Sequence, residues 1–209
     1  MLKLRIYQYF IVQIIIQLLC LYTKNELIIF FISILSFYIF VVFLYQIIKN
    51  NDDETSFLKE VLTNFYFREA VRVFVVYLIV FLVTYIPIII FFLASKSDIN
   101  NYFVVHKNIL LQMVWLIQCV YLSFCSYAMF AKPKIKHVQV LIEGYNVMKN
   151  NIFVTLIITI LFATILTIQI LFVRQFKFIS EIFIIIYIPI SLSVLIIRKK
   201  MSKGHQATQ

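Results

Sequence analysis

The sequence holds 209 residues, of which 63% are hydrophobic and 13% are charged. A soluble domain is about half apolar and about a quarter charged, so this composition excludes an ordinary soluble protein and indicates a membrane protein. The net charge of +10 would suggest nucleic acid in a soluble chain. In a membrane protein we expect the basic residues to follow topology instead, and we expect no nucleic-acid partner.

Six stretches are long and apolar enough to cross a bilayer, because a helical span needs roughly 17 to 25 residues. We therefore predict an all-α, polytopic membrane protein with one transmembrane domain over residues 1–209. The first stretch contains Gln8, Gln13 and Gln17, and a cleaved signal peptide is its alternative interpretation, although no small-residue cleavage site stands before TKNE. The predicted spans cover residues 6–22, 27–48, 73–94, 109–131, 152–173 and 178–197.

The lysines and arginines predict which way the chain crosses the membrane. If the N-terminus is cytosolic, fourteen of the 19 basic residues fall on the inner segments and five on the outer loops. This positive-inside bias predicts that both termini are cytosolic. The same residues give a secondary attraction to anionic lipid headgroups.

The first inner loop, KNNDDETSFLKEVLTNFYFREAVR over residues 49–72, predicts an amphipathic helix at the cytosolic interface. Its acidic start suits a helix N-terminus, where unpaired N–H groups favour anions. Polar side chains occupy the other face. We expect about three helical turns over residues 56–66, with one apolar face formed by Phe57, Leu58, Val61, Leu62, Phe65 and Tyr66.

The second inner loop, residues 131–151, repeats this plan and predicts a second interfacial helix. Pro133 suits a helix start, and Gly144 weakens the helix by about 1 kcal/mol relative to alanine. The two loops align when one is moved by 80 positions, which predicts a weak internal repeat. The expected apolar stripe consists of Val138, Leu141, Ile142, Tyr145 and Met148.

Polar and small side chains recur on one face of three predicted spans. Such stripes either pack helices together or line a substrate path, and packing is the more common use. No ionisable residue lies centrally in any span, which argues against an ion-coupled carrier. The candidate residues are Gln13 and Gln17 on the first span, Gln112 on the fourth, and Thr155 and Thr159 on the fifth.

The sequence offers no arrangement for catalysis, and we predict no enzyme, no catalytic residue, no cofactor and no metal. The histidines at 106, 137 and 205 are isolated from other metal-ligating residues. Two glycines cannot form a phosphate-binding loop, so any nucleotide hydrolysis belongs to another chain. Cys20, Cys119 and Cys125 form no C-x-x-C pair, and we expect them to be buried apolar side chains, with a disulfide between spans as the alternative.

The stretch NNDDETSFLKEVLTNFYFREAVRVFVVYLIVFLVTYIPIII, from Asn50 to Ile90, resembles the region between the second and third spans of six-helix ABC-type exporter permeases. In that family an acidic turn leads into a short coupling helix that rests on a separate cytosolic ATPase. The family usually has re-entrant helices outside before its last span, where this chain has only VRQFKFISE. The resemblance implies that the ATPase contacts are Asp53, Glu54, Phe57, Lys59, Glu60, Asn64 and Arg68.

The stretch SYAMFAKPKIKHVQVLIEGYNVMKNNIFVTLIITIL, residues 126–161, is similar to a group of bacterial six-helix membrane proteins and implies no activity. The abundance of Ile, Phe, Lys, Asn and Tyr indicates an A/T-rich coding sequence, typical of a low-GC bacterium and otherwise of an organellar genome. We therefore predict a permease subunit in a bacterial plasma membrane, which exports a hydrophobic or amphipathic substrate. Its expected partners are lipid, a cytosolic ATPase, and other membrane subunits or a second copy. The alternative is a structural or assembly subunit of a larger membrane complex.

Overall fold

The computed structural model describes residues 2–49, 57–63, 66–94, 97–172 and 186–206. Within these ranges every regular element is helical, as the sequence predicts. The helices are α1 (Leu2–Tyr22), α2 (Glu26–Lys49), α3 (Phe57–Thr63), α4 (Phe67–Ala94), α5 (Ser97–Ala131), α6 (His137–Asn150), α7 (Ile152–Phe172) and α8 (Ile188–Gln206).

Three helices in the described ranges are long and apolar enough to cross a membrane, which identifies the chain as an integral membrane protein. The axes of α6 and α7 differ by 100°, and this pair gives a fourth crossing if it counts as one bent span. The apolar part of α1, Leu4–Cys20, is shorter than a usual span, and residues 178–185 of the last predicted span lie outside the described residues. The segments of the three helices that are long and apolar enough to cross a membrane are Glu26–Lys49, Phe67–Pro87 and Gln112–Ala131.

A tight turn joins α1 and α2 into a helical hairpin. Asn25 caps α2, since its side-chain oxygen accepts hydrogen bonds from the backbone N–H groups of Leu27 at 2.9 Å and Ile28 at 3.4 Å. Further along, the rings of Tyr9 and Phe43 stack with centroids 3.8 Å apart. The predicted boundaries of the second span, 27 and 48, lie within one residue of the observed ends.

The second half of α2 forms the centre of the molecule. Its residues 39–44 are buried without interruption, so all sides of this helix are covered rather than one stripe. The covering helices are α1, α4, α5 and α8. Phe40 stacks on Tyr187 with centroids 4.5 Å apart, which places α8 beside α2.

The contacts bring several helix ends together at one end of the bundle. Tyr45, near the end of α2, contacts the rings of Tyr66 and Phe130, which lie beside the start of α4 and at the end of α5. Ser191 of α8 bonds Tyr9 near the start of α1. The start of α1, the ends of α2 and α5, and the start of α4 therefore share one end of the molecule.

Helix α6 packs closely against α5 through a face that the apolar stripe did not predict. Val140 and Gly144 are the buried residues of α6. A Cβ atom at Gly144 would lie 2.7 Å from Cys125 Sγ and 3.1 Å from the Cys125 Cα and N atoms. Glycine is needed here for close helix packing, which explains a residue that the sequence marks only as a weak helix former.

The predicted stripe of α6 divides between two environments. Leu141 and Met148 are half-buried, whereas Val138, Ile142 and Tyr145 are exposed on the surface of the protein. The Tyr121 hydroxyl donates a hydrogen bond of 2.7 Å to the Leu141 carbonyl and fixes the α5–α6 contact. The exposed residues are therefore available to lipid or to a partner.

Candidate functional site

Helix α3 is attached to the bundle through the ring of Phe57. This residue is fully buried, and its ring meets those of Tyr9 and Phe43 edge-on, with centroids 6.1 Å away in both cases. Its backbone N–H donates a hydrogen bond of 3.0 Å to Gln8 Oε1. Phe57 thus fixes the start of α3 between α1 and α2.

The opposite side of α3 is exposed. Helical residues turn by about 100° each, which places Lys59 and Leu62 about 160° and 140° from Phe57, and about 60° from each other. Both side chains are exposed, and Leu62 is 84% accessible. Leu62 therefore lies at the edge of the predicted apolar face, and in the described residues of α3, Phe57–Thr63, Phe57 contacts the bundle while Leu62 is left for lipid or a partner.

Several residues of the predicted coupling segment fall where the structure gives no description. Asp53, Glu54 and Asn64 lie outside the described residues. Glu60 belongs to α3 by its backbone, and its side chain is likewise outside the described part. Arg68 lies in the first turn of α4 and is exposed. The structure therefore gives positions for the side chains of Phe57, Lys59 and Arg68 from this set.

Arg72 connects α4 to the loop between α5 and α6. Its guanidinium group donates hydrogen bonds to three backbone carbonyls: those of Met129 at 3.4 Å, Pro133 at 2.7 Å and Ile135. A planar guanidinium suits this role, since it offers five donors in a fixed arrangement. The carbonyls lie at a helix end and in a turn, where backbone acceptors lack helical partners. Arg72 therefore holds the loop in place.

Beside Arg72 lies an open cavity of about 690 Å³ with a strongly basic lining. This volume falls within the usual range for ligand sites. Tyr45, Val71, Phe130 and Ile135 give it apolar walls, and among the described residues Glu69 is the one acidic residue of the lining. The basic lining residues are Lys49, Arg68, Arg72, Lys134, Lys136 and His137.

This cavity was not foreseen as a site. In the sequence its lysines and arginines are positive-inside signals, and Arg68 is also an ATPase contact that the resemblance implies. No local pattern reveals the grouping, because the carbonyls bound by Arg72 lie 57 to 63 positions away in the chain. The only available signal was a concentration of lysines at the ends of two predicted spans.

The predicted polar stripe of α1 meets α2 at one glutamine. Gln13 is fully buried; its Nε2 donates a hydrogen bond of 2.9 Å to the Ser36 carbonyl, and the Ser36 hydroxyl donates one of 2.8 Å to Gln13 Oε1. Gln17 is 7% exposed, and neither of its side-chain polar atoms has a hydrogen-bond partner within the described structure. Gln13 therefore joins two helices, while Gln17 holds an unsatisfied amide in the interior.

The polar residues predicted on the fourth and fifth spans lie away from this cluster. Gln112 is half-buried near the start of the described side chains of α5. Thr155 and Thr159 line an open groove of about 400 Å³ between α4, α5 and α7, and their hydroxyls bond backbone carbonyls of Asn151 and Thr155. Among the described side chains of α7, Val154, Ile158 and Phe162 are buried, and they form its packing face.

The remaining candidate groups show no chemical site. Cys20, Cys119 and Cys125 are buried, as predicted, and none of them forms a disulfide. Among the side chains that the structure describes, no three His, Cys, Asp or Glu residues are grouped closely enough to hold a metal ion. The candidate functional features of the described residues are therefore the exposed side of α3, the basic cavity beside Arg72 and the buried glutamines of α1.

No protein-family model, curated protein or solved structure matches this chain.

Proposed function

We propose that this chain is a non-catalytic permease subunit with six spans, and that a separate cytosolic ATPase acts on it through α3. The observation that carries this proposal is that α3 is attached to the bundle on one side and exposed on the other. Phe57 is buried between α1 and α2, while Lys59 and Leu62 point away from the bundle. A force on the exposed side would reach α1 and α2 through the Phe57 ring, because packed side chains transmit displacement.

The exposed side of α3 has the composition of a protein contact. Apolar anchors inserted into a partner pocket supply much of the affinity of an interface, and charged residues around them give orientation. Leu62 is such an anchor, and Lys59 lies beside it. The substrate would be hydrophobic or amphipathic, because the membrane-embedded part offers apolar grooves and no central charge.

The proposed topology places both termini in the cytosol. The helix ends that meet at one end of the bundle carry Arg5, Lys49, Arg68 and Arg72, and the α5–α6 loop adds three lysines. A positively charged end supports a cytosolic assignment. In this topology the turn containing Lys24 is outside the cell, and the membrane is the plasma membrane of a low-GC bacterium.

Labelling tests the topology directly. Cysteines replace Lys24 or Lys200, and intact cells are treated with a membrane-impermeant maleimide. The three native cysteines are buried, so background labelling should be low. We expect labelling of Lys24→Cys alone. Labelling of Lys200→Cys from outside would contradict the topology, and permeabilised cells provide the control for reactivity.

Co-purification tests the coupling role. The tagged chain is purified in mild detergent, its partners are identified, and ATP hydrolysis is measured. We expect a P-loop ATPase to accompany the native chain, and we expect Leu62→Asp and Lys59→Glu to lose it while still inserting. Lys149→Glu is the matched control, since Lys149 is an exposed lysine of α6, whereas α3 contacts α1 and α2. Full retention of the ATPase by both α3 variants would refute the coupling role.

A structural or assembly subunit is the second candidate, favoured by the exposed apolar surface where α6 meets α7. Ile152 and Phe153 of α7 are each 73% exposed, and Ile142 and Tyr145 of α6 are exposed as well. Such a surface suits a neighbouring membrane subunit as well as lipid. Membrane partners that co-purify with both α3 variants, and are lost with Phe153→Ser, would support this role instead.

A further inference from the structure

The basic cavity beside Arg72 has the chemistry of an anion site. Among its described lining residues, five are lysine or arginine, one is histidine and one is acidic. Within the part of the chain that the structure describes, the Arg68, Lys134 and Lys136 side chains form no ion pair. Positive charges held close together repel one another, so a bound anion would stabilise the arrangement.

The walls of the cavity indicate what kind of anion it accepts. Tyr45, Val71, Phe130 and Ile135 supply apolar surface beside the charges. The cavity lies where α2 and α5 end and α4 begins, at the boundary of helices that are apolar enough to cross a membrane. A ligand with a charged phosphate and an attached apolar chain satisfies both surfaces, whereas a free phosphate uses only the charges.

We propose that this cavity binds the phosphate headgroup of an anionic membrane lipid. Arg68 and Lys134 contact the phosphate from α4 and from the α5–α6 loop, and the aromatic walls contact the start of the acyl region. Arg72 is a positioning residue, because its guanidinium group already holds the loop carbonyls at Pro133 and Ile135. The inference does not depend on whether an ATPase acts on α3.

The acidic run Asp52–Glu54 begins three residues after Lys49 and lies outside the described residues. Its carboxylates are the competing anions that the chain itself could supply. The experiment therefore includes a variant with Asp52→Asn, Asp53→Asn and Glu54→Gln. We expect this variant to bind lipid at least as tightly as the native chain, and weaker binding would overturn the cavity as the site.

Native mass spectrometry of the full chain in detergent, titrated with phosphatidylglycerol, measures the binding. Each basic residue near an anionic headgroup contributes about 1 kcal/mol, which is about fivefold in affinity. We expect the double variant Arg68→Gln/Lys134→Gln to weaken the first bound lipid by more than about tenfold. The matched control is Lys24→Gln/Lys149→Gln, which removes two exposed lysines outside the cavity and should change this affinity less than about twofold.

Two further arms separate the sources of the phosphate group. Phosphatidylcholine should bind the same position more weakly, and millimolar inorganic phosphate should not displace phosphatidylglycerol. Displacement by inorganic phosphate would overturn the lipid assignment, and equal weakening by both double variants would overturn the cavity. Thermal melting of each variant within about 2 °C of the native chain establishes that the fold is intact.

Discussion

Replacing Gly144 by alanine tests the close contact between α5 and α6, because two effects of known size oppose each other. Alanine favours a helix over glycine by about 1 kcal/mol. The new Cβ, however, would lie 2.7 Å from Cys125 Sγ and 3.1 Å from two Cys125 backbone atoms. Overpacking of this kind costs about 1 to 3 kcal/mol. The steric cost should exceed the gain in helix propensity, and we expect the free energy of unfolding to fall by about 1 kcal/mol.

Thermal melting in detergent measures this loss. A change of 1 kcal/mol shifts the midpoint of a chain of this size by about 2 to 4 °C, so Gly144→Ala should melt lower by that amount and Gly144→Val lower still. Asn146→Ala is the matched control, because Asn146 is exposed on the same helix and its replacement adds only helix propensity. A Gly144→Ala midpoint raised as much as that of the control would refute the close-contact explanation.

The same substitution in a Cys125→Ala variant measures how much of the steric cost comes from the sulfur atom. Cys125→Ala removes the sulfur atom but leaves the Cys125 Cα and N atoms at 3.1 Å. The penalty of Gly144→Ala should therefore shrink in this background without disappearing, which gives a coupling energy of about 0.5 kcal/mol or more. Identical penalties in the two backgrounds would mean that the sulfur plays no part in the contact.

Three further predictions concern single side chains. Gln13→Leu should lower the melting midpoint, because it removes two hydrogen bonds between α1 and α2. Gln17→Leu should raise the midpoint, because that amide is buried without a hydrogen-bond partner within the described structure. Shifts of the same sign would contradict this assignment. Arg72→Gln should speed tryptic cleavage after Lys134, because the loop loses its carbonyl contacts; unchanged digestion would contradict the clamp. Glu143→Gln should lower the midpoint by no more than about 2 to 4 °C, because its 2.9 Å ion pair with a partner side chain that is 57% exposed contributes at most about 1 kcal/mol; a larger shift would contradict this ranking.

The sequence was most informative where one physical requirement decides the structure. The length and apolarity of α2 determine its limits, and the prediction 27–48 agrees with Glu26–Lys49. Apolarity alone does not show which side of such a helix meets protein. The uninterrupted burial of residues 39–44 depends on four neighbouring helices, and no periodicity in α2 indicates them.

The amphipathic helices show where periodicity is insufficient. In α6 the apolar residues predict a stripe, but the protein contact follows Val140 and Gly144 because the missing Cβ lets the two backbones approach. In α3 the pattern groups Phe57 with Leu62, although one is buried and the other exposed. A periodic pattern identifies residues on a shared face, and only the neighbouring helices determine which part of that face is covered.

The Arg72 clamp and the basic cavity depend on contacts between distant parts of the chain. Their residues come from the end of α2, the start of α4 and the loop after α5, and each looks in the sequence like an ordinary positive-inside residue. A site of this kind becomes visible when the helix ends are placed together.

The paired hydrogen bonds between Gln13 and Ser36 have a consequence for biosynthesis. Helix α1 is synthesised before α2, with a short apolar part and amides that are unfavourable in hydrocarbon. Its amide at position 13 gains both partners only when α2 has followed it. The first two helices should therefore enter the bilayer as a preassembled pair.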